Sequence, residues 1–158
     1  MEIEMQLKST LRVINEADFE GQRGVTEGQT YKRLIGWPEV QATDRVRIGR
    51  ASYLPGTYEQ LHWHPIEACY YVISGHATVR DVEGNEYEVS AGSIIYAPPG
   101  IAGAHEWEVK ESLELIDIRA TNETNRKMQF TVDKKTMRSY IDLDELEKRE
   151  GLSFKSHY

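Results

Sequence analysis

Through the middle of the chain, apolar and polar residues alternate in short runs, never in long helical stretches. Segments of about four to ten residues, rich in Val, Ile, Tyr and Thr, are separated by Gly, Pro and Asn; this is the pattern of β-strands joined by turns. Arg45–Leu54 (RVRIGRASYL) predicts one strand, closed by Pro55-Gly56. Glu67–Ser74 predicts the next, stopped by Gly75. His76–Val82 alternates up to the turn signal Glu83-Gly84-Asn85, and Glu86–Val89 returns as its hairpin partner. Ser93–Ala97 runs into Pro98-Pro99-Gly100, and Ala104–Val109 and Leu113–Arg119 complete the set. Many short strands at this spacing predict an all-β sandwich or closed barrel.

The two ends read differently. The first 30 or so residues are polar and weakly patterned, and are expected to wrap the barrel or pair with a partner. Near the other end Asp142 can cap a short C-terminal helix over LDELEKRE, with Glu145 completing a capping box and Gly151 supplying the stop. That helix has few apolar residues and is expected on the surface. No internal repeat or low-complexity linker divides the chain. One domain over residues 1–158 is therefore expected, with a barrel core at about 31–119, an N-terminal arm over 1–30 and a C-terminal extension over 120–158.

Composition narrows the partners. A chain of 158 residues with 39% apolar and 28% charged positions suits one soluble core. A net charge of −7 with no basic patch argues against nucleic acid. No apolar run reaches the roughly 20 residues of a membrane span. The opening MEIEMQLKST lacks the apolar core of a leader, so the cytoplasm is the expected location. Cys69 is the only cysteine, which excludes an internal disulfide. Asn122-Glu123-Thr124 matches a glycosylation acceptor, but nothing in the sequence points to secretion.

The chemistry concentrates in Leu61–Gly75, LHWHPIEACYYVISG. Side chains on a strand alternate faces, so His62 and His64 point the same way, with Cα atoms about 6.5–7 Å apart. Two imidazoles at that spacing can converge on one metal ion, although such a pair also arises by chance. The surrounding pattern is fuller: Gly56-x5-His62-x-His64 and a strand ending at Gly75, then Gly92-x5-Pro98-x-Gly100 followed by His105.

These two stretches resemble the paired motifs of the cupin superfamily, and the resemblance runs over roughly Tyr31 to Arg119. It implies a double-stranded β-helix, or jelly-roll barrel, with one divalent metal ion inside. His62, His64 and His105 fall on its three histidine positions. The family glutamate normally stands seven residues before the strand-ending glycine, and Ala68 is found there. Glu67 is adjacent but one step along a strand faces the other way unless a bulge turns it in. The loop Ile101–Ala104 is two residues longer than the usual spacer before the histidine.

Three neutral imidazoles would leave a divalent ion's charge uncompensated and its remaining positions open to anionic ligands. Fe2+ is the first choice; Mn2+, Ni2+, Cu2+ and Zn2+ also accept imidazole. Cupin thiol dioxygenases and β-diketone-cleaving dioxygenases use three histidines on iron. The resemblance therefore points to a dioxygenase, an oxidoreductase of a small polar or chelating substrate. A non-redox lyase, isomerase or decarboxylase is the alternative; dimethylsulfoniopropionate-cleaving cupins are similar in placing a tyrosine two residues after the glutamate position. A ligand-binding barrel without catalysis is the third reading, and homodimers are common in the family.

Strand parity supplies further candidates. With Ala68 inward, Tyr70 and Val72 follow, and Cys69 and Tyr71 face away. Tyr70 is the candidate acid–base or orienting phenol, weighed against a packed core tyrosine. Val72 and Trp107, which shares a face with His105, are the candidate substrate-contacting walls, again weighed against simple core roles. Cys69 reads as an inert thiol, His76 as a solvent-facing residue and Gly24–Thr30 (GVTEGQT) as an ordinary loop; His157 is given no role.

Overall fold

In a computed structural model, residues 7–120 and 129–141 are described. Their strands are β1 (Gln22–Arg23), β2 (Gln29–Ile35), β3 (Val46–Tyr53), β4 (Tyr58–Trp63), β5 (Ala68–Asp81), β6 (Glu86–Ser90), β7 (Ile94–Ala97), β8 (His105–Ala120), β9 (Phe130–Asp133) and β10 (Arg138–Tyr140). The strand pairings are antiparallel.

Two long strands organise the molecule. β5 and β8 pair along nearly their whole lengths, from Ala68↔Arg119 to Asp81↔His105. On the outer side of β8, β3 takes the C-terminal half and β4 the N-terminal half. On the outer side of β5, β7 pairs near its start and β6 near its end. Each long strand thus serves two layers in turn, which is the jelly-roll arrangement. Among the described residues the hydrogen-bonded ladder does not close on itself. No helix among them is long and apolar enough to cross a membrane.

Two breaks predicted from sequence are absent. Gly75 does not end a strand; β5 runs through it. Its φ of +92° and the backbone beside it explain the glycine: a Cβ there would stand 2.0 Å from the Ser112 carbonyl oxygen. The register shifts between Val72 and Ala77, so Gly75 marks a bulge where two backbones pass closely. The bulge also changes parity. Ala68, Tyr70 and Val72 face the core before it, and Ala77 and Val79 after it. Likewise Lys110, Glu111 and Ser112 are exposed but remain within β8. Their polarity reflects a solvent-facing bend, not the end of the strand.

The core lies between the layers. It gathers Ala51 and Tyr53 from β3, Tyr70 and Val72 from β5, and Trp107, Leu113 and Leu115 from β8, all buried. A smaller cluster joins Leu61, Ala104 and Val132. Val132 belongs to β9, which extends the sheet beyond β4. The Phe130 ring stacks on Trp63 with centroids 4.2 Å apart. Residues assigned from sequence to the C-terminal extension therefore complete the sheet beside the histidines. From the N-terminal arm, Glu16 reaches β3 through Arg50 at 3.3 Å, and β1 pairs with β2. The C-terminal helix expected near Asp142–Gly151, the Asn122 acceptor motif and His157 lie outside the described residues.

Candidate metal centre

The histidines are brought together by three local devices. First, the β4–β8 register shifts between Glu59 and His62, so a bulge precedes the histidine pair. Second, His62 is the direct cross-strand partner of His105. Third, the Gly100 N–H donates to the His64 carbonyl at 3.0 Å, which pins the Pro98-Pro99-Gly100 turn beside the pair. The two extra residues of the following loop are absorbed by a tight 3-10 turn, Ile101–Gly103. Gly103 is required there, because a Cβ would lie 1.9 Å from the Pro98 carbonyl oxygen. The longer spacer thus still delivers His105.

His62, His64 and His105 are buried, with relative exposures of 1%, 2% and 4%. One ring nitrogen from each lies within 4.8 Å of the others. Bonds of about 2.1 Å allow ligand atoms to sit up to about 4.2 Å apart, so small ring movements suffice for one ion. Backbone contacts orient two of the rings. His62 Nδ1 lies 2.6 Å from the Gln60 carbonyl and His105 Nδ1 lies 3.0 Å from the Gly103 carbonyl. A carbonyl only accepts, so both Nδ1 atoms carry the proton and both Nε2 atoms keep the lone pair in the neutral ring. Burial, then charge at His62, pushes the His105 imidazole down to about 3. Buried, oriented imidazoles are the donor set of a divalent transition metal, and these residues fit one.

No carboxylate joins them from β5. Ala68 is buried in the core, while Glu67 is exposed and accepts a hydrogen bond from the Tyr96 hydroxyl at 2.8 Å. No bulge turns Glu67 inward.

A cavity of about 320 Å³ adjoins the cluster. Three of its lining residues each touch one histidine. The Tyr70 hydroxyl is 3.1 Å from His105 Nε2, Arg119 Nη1 is 3.3 Å from His64 Nδ1, and Glu59 Oε1 is 3.6 Å from His62 Nε2. Arg119 also donates from Nε to Asp117 at 3.0 Å, and the Tyr31 hydroxyl donates to the same carboxylate at 3.2 Å. Burial favours the neutral form of the guanidinium, but Asp117, Tyr70 and Tyr31 overcome it and raise its pKa. Burial also raises Tyr70, against a lowering by Arg119, so the phenol keeps its proton. Tyr31 and Tyr53 are raised too, first by burial and then by Asp117 and Glu59 respectively. Gly49 makes room for Tyr31; a Cβ there would fall 2.0 Å from its hydroxyl oxygen.

Tyr70 therefore lies between cluster and cavity. Val72 and Trp107 do not line the cavity; both are core residues, and Trp107 meets the Tyr70 ring edge-on at 5.3 Å and is the cross-strand partner of Glu59. Gly24–Thr30 does more than expected of an ordinary loop, since Gly24, Val25 and Gln29 line the cavity. His76 is half-exposed and pairs with Glu88 at 2.6 Å, away from the site. Cys69 is a partly buried free thiol. Glu59, Asp117 and Arg119 went unrecognised in the sequence. For the last two the signal was available: they share parity with His105 once β8 is read as one unbroken strand.

Residues 49–119 match the family model for the cupin domain. No curated protein matches the chain. Among solved structures, the polyketide cyclase RemF from Streptomyces resistomycificus is similar with a TM-score of 0.64 at 18% identity, over 87% of this chain and 92% of that one. The oxalate decarboxylase of Lactobacillus farciminis gives 0.60 at 21%, over 78% and 37%. The DMSP lyase DddQ from Ruegeria pomeroyi gives 0.60 at 15%, over 72% and 60%. The matched part of this chain thus spans less than two thirds of the last two. At such identities the likeness is one of fold.

Proposed function

Because residues 49–119 match the cupin domain, and because the cavity adjoins three buried imidazoles, we propose that this chain is a metal-dependent enzyme of small anionic substrates. We infer non-redox chemistry for it: a lyase, isomerase, decarboxylase or cyclase reaction in which a carbonyl is polarised and a proton moved. The observation that carries this reading is the Tyr70 hydroxyl, 3.1 Å from His105 Nε2 and facing the cavity. A bound divalent ion supplies Lewis-acid polarisation of a substrate oxygen. Fe2+, Mn2+, Ni2+, Cu2+ and Zn2+ all suit the donor set.

The chain's own residues supply the rest. Arg23, Arg33, Arg47 and Arg119 line the cavity against Glu39, Glu59 and Asp117, so cationic side chains outnumber anionic ones within a chain of net charge −7. Arg119, held by Asp117, is set to orient a substrate carboxylate. Tyr70 keeps its proton and can donate it to an oxygen that gains charge, then recover it. The activities of the similar structures, a cyclase, a decarboxylase and a lyase, support this class without naming the substrate.

The dioxygenase reading is second, and the absence of a carboxylate at Ala68 favours it. Metal-loaded protein in D2O, tested anaerobically with a panel of β-keto and β-hydroxy acids, separates the two. Exchange or turnover at undiminished rate without oxygen supports the non-redox reading. Strict dependence on oxygen overturns it in favour of the dioxygenase. Tyr70→Phe should slow the anaerobic reaction by about 10²–10⁴-fold with metal content unchanged.

A further inference from the structure

We propose, on the premise that the histidines hold a metal, that Glu59 is a fourth protein ligand to it. The carboxylate that Ala68 does not supply comes instead from β4.

Alternation alone places Glu59 on the face opposite His62, since three positions separate them. The bulge between them reverses that parity. Leu61 and His62 are both buried in consequence, and Glu59 turns into the cavity with its side chain 12% exposed. Its Oε1 stands 3.6 Å from His62 Nε2. Two ligands at right angles on one ion, with bonds of about 2.1 Å, are about 3.0 Å apart, so the separation is close to that of neighbouring ligands.

Chemistry points the same way. The Gln60 carbonyl holds the His62 proton on Nδ1. The Nε2 atom then faces a carboxylate oxygen, a contact satisfied either by a proton on Nε2 or by a cation shared between the two groups. A metal ion held by both is such a cation. A carboxylate ligand also lowers the ion's net charge by one unit. That leaves Arg119 as the main attraction for a substrate carboxylate and weakens the electronic case for a purely neutral site.

The test uses cobalt(II) as the probe, with the full-length chain stripped of metal by chelator. Wild type, Glu59→Gln and Glu59→Ala are titrated while visible absorption and X-ray absorption fine structure are recorded. Circular dichroism checks folding, and the near-isosteric Gln variant serves if the Ala variant does not fold. Wild type should show one carboxylate oxygen beside three imidazoles. Glu59→Gln should lose that oxygen, change the cobalt spectrum and bind at least about 10-fold more weakly. Added formate should restore the wild-type spectrum in Glu59→Ala. If wild type binds no cobalt, the metal reading falls and the proposal with it. If wild type binds and Glu59→Gln keeps the same spectrum, the proposal is overturned and the metal reading stands, even where affinity drops.

Discussion

Metal-free protein should lose stability on mild acidification, and His105 should account for a definable share of the loss. The ring is 4% exposed. Burial, with charge at His62, holds its native pKa at about 3 against an ordinary 6.5. Above 6.5 the ring is neutral both folded and unfolded, and contributes no pH dependence. Below 6.5 the unfolded chain takes up a proton that the native ring refuses, so unfolding is favoured as pH falls. The slope is about 1.4 kcal/mol per pH unit, and it persists until the native ring protonates near 3. Between pH 7.5 and 5.0 the single ring costs about 2 kcal/mol, and any native value below about 4 gives nearly the same figure.

The assay is urea unfolding of chelator-treated wild type and His105→Gln at those two pH values. The variant loses a packed ring and its contact with Gly103, so it should be the less stable protein at pH 7.5. Its further loss on going to pH 5.0 should nevertheless be smaller than that of wild type by about 2 kcal/mol. Titrating groups that do not interact with His105 contribute to both proteins and cancel in the difference. Equal losses would show that the ring titrates alike folded and unfolded, and would refute the account of a buried neutral imidazole.

Two further substitutions separate loss of site from loss of fold. Gly103→Ala places a Cβ 1.9 Å from the Pro98 carbonyl oxygen, which must displace the turn that delivers His105; equilibrium unfolding should show a loss of about 1–3 kcal/mol, and metal affinity should fall as well. Leu115→Ala empties a core position that is 1% exposed and should cost about 2–5 kcal/mol in the same assay, yet metal bound per folded molecule should be unchanged.

The strands and the histidine trio were legible in the sequence because both rest on short-range regularities. Val46–Tyr53 and Glu86–Ser90 alternate, and their boundaries fall within a residue or two of the expected ones. His62, His64 and His105 stood out through motif spacing, and the glycines around them mark real backbone constraints. Errors arose where a local signal had a tertiary cause. Gly75 looks like a stop but serves a close backbone crossing. The polar run Lys110–Ser112 looks like a loop but is the outer side of a bend. That second misreading broke β8 in two and hid Asp117 and Arg119, which need the unbroken parity from His105 to be seen.

Glu59 exposes a deeper limit. Period-two reasoning assigns each side chain to a face by counting, and one bulge inverts every assignment upstream of it. The bulge after Glu59 lies where β4 changes register along β8, just before the residues that pair with β9. Its partner β9 lies some seventy residues further along the sequence. No pattern within the first motif contains that information. The same logic applies at Ala68, where counting was right and the expected carboxylate was truly missing. A site of this kind is therefore read best in two passes: spacing nominates the imidazoles, and the register of distant strands decides which acid stands beside them. The negative charge at such a centre can migrate from one strand to another while the histidines keep their places, because a bulge moves a carboxylate across a sheet without moving the metal.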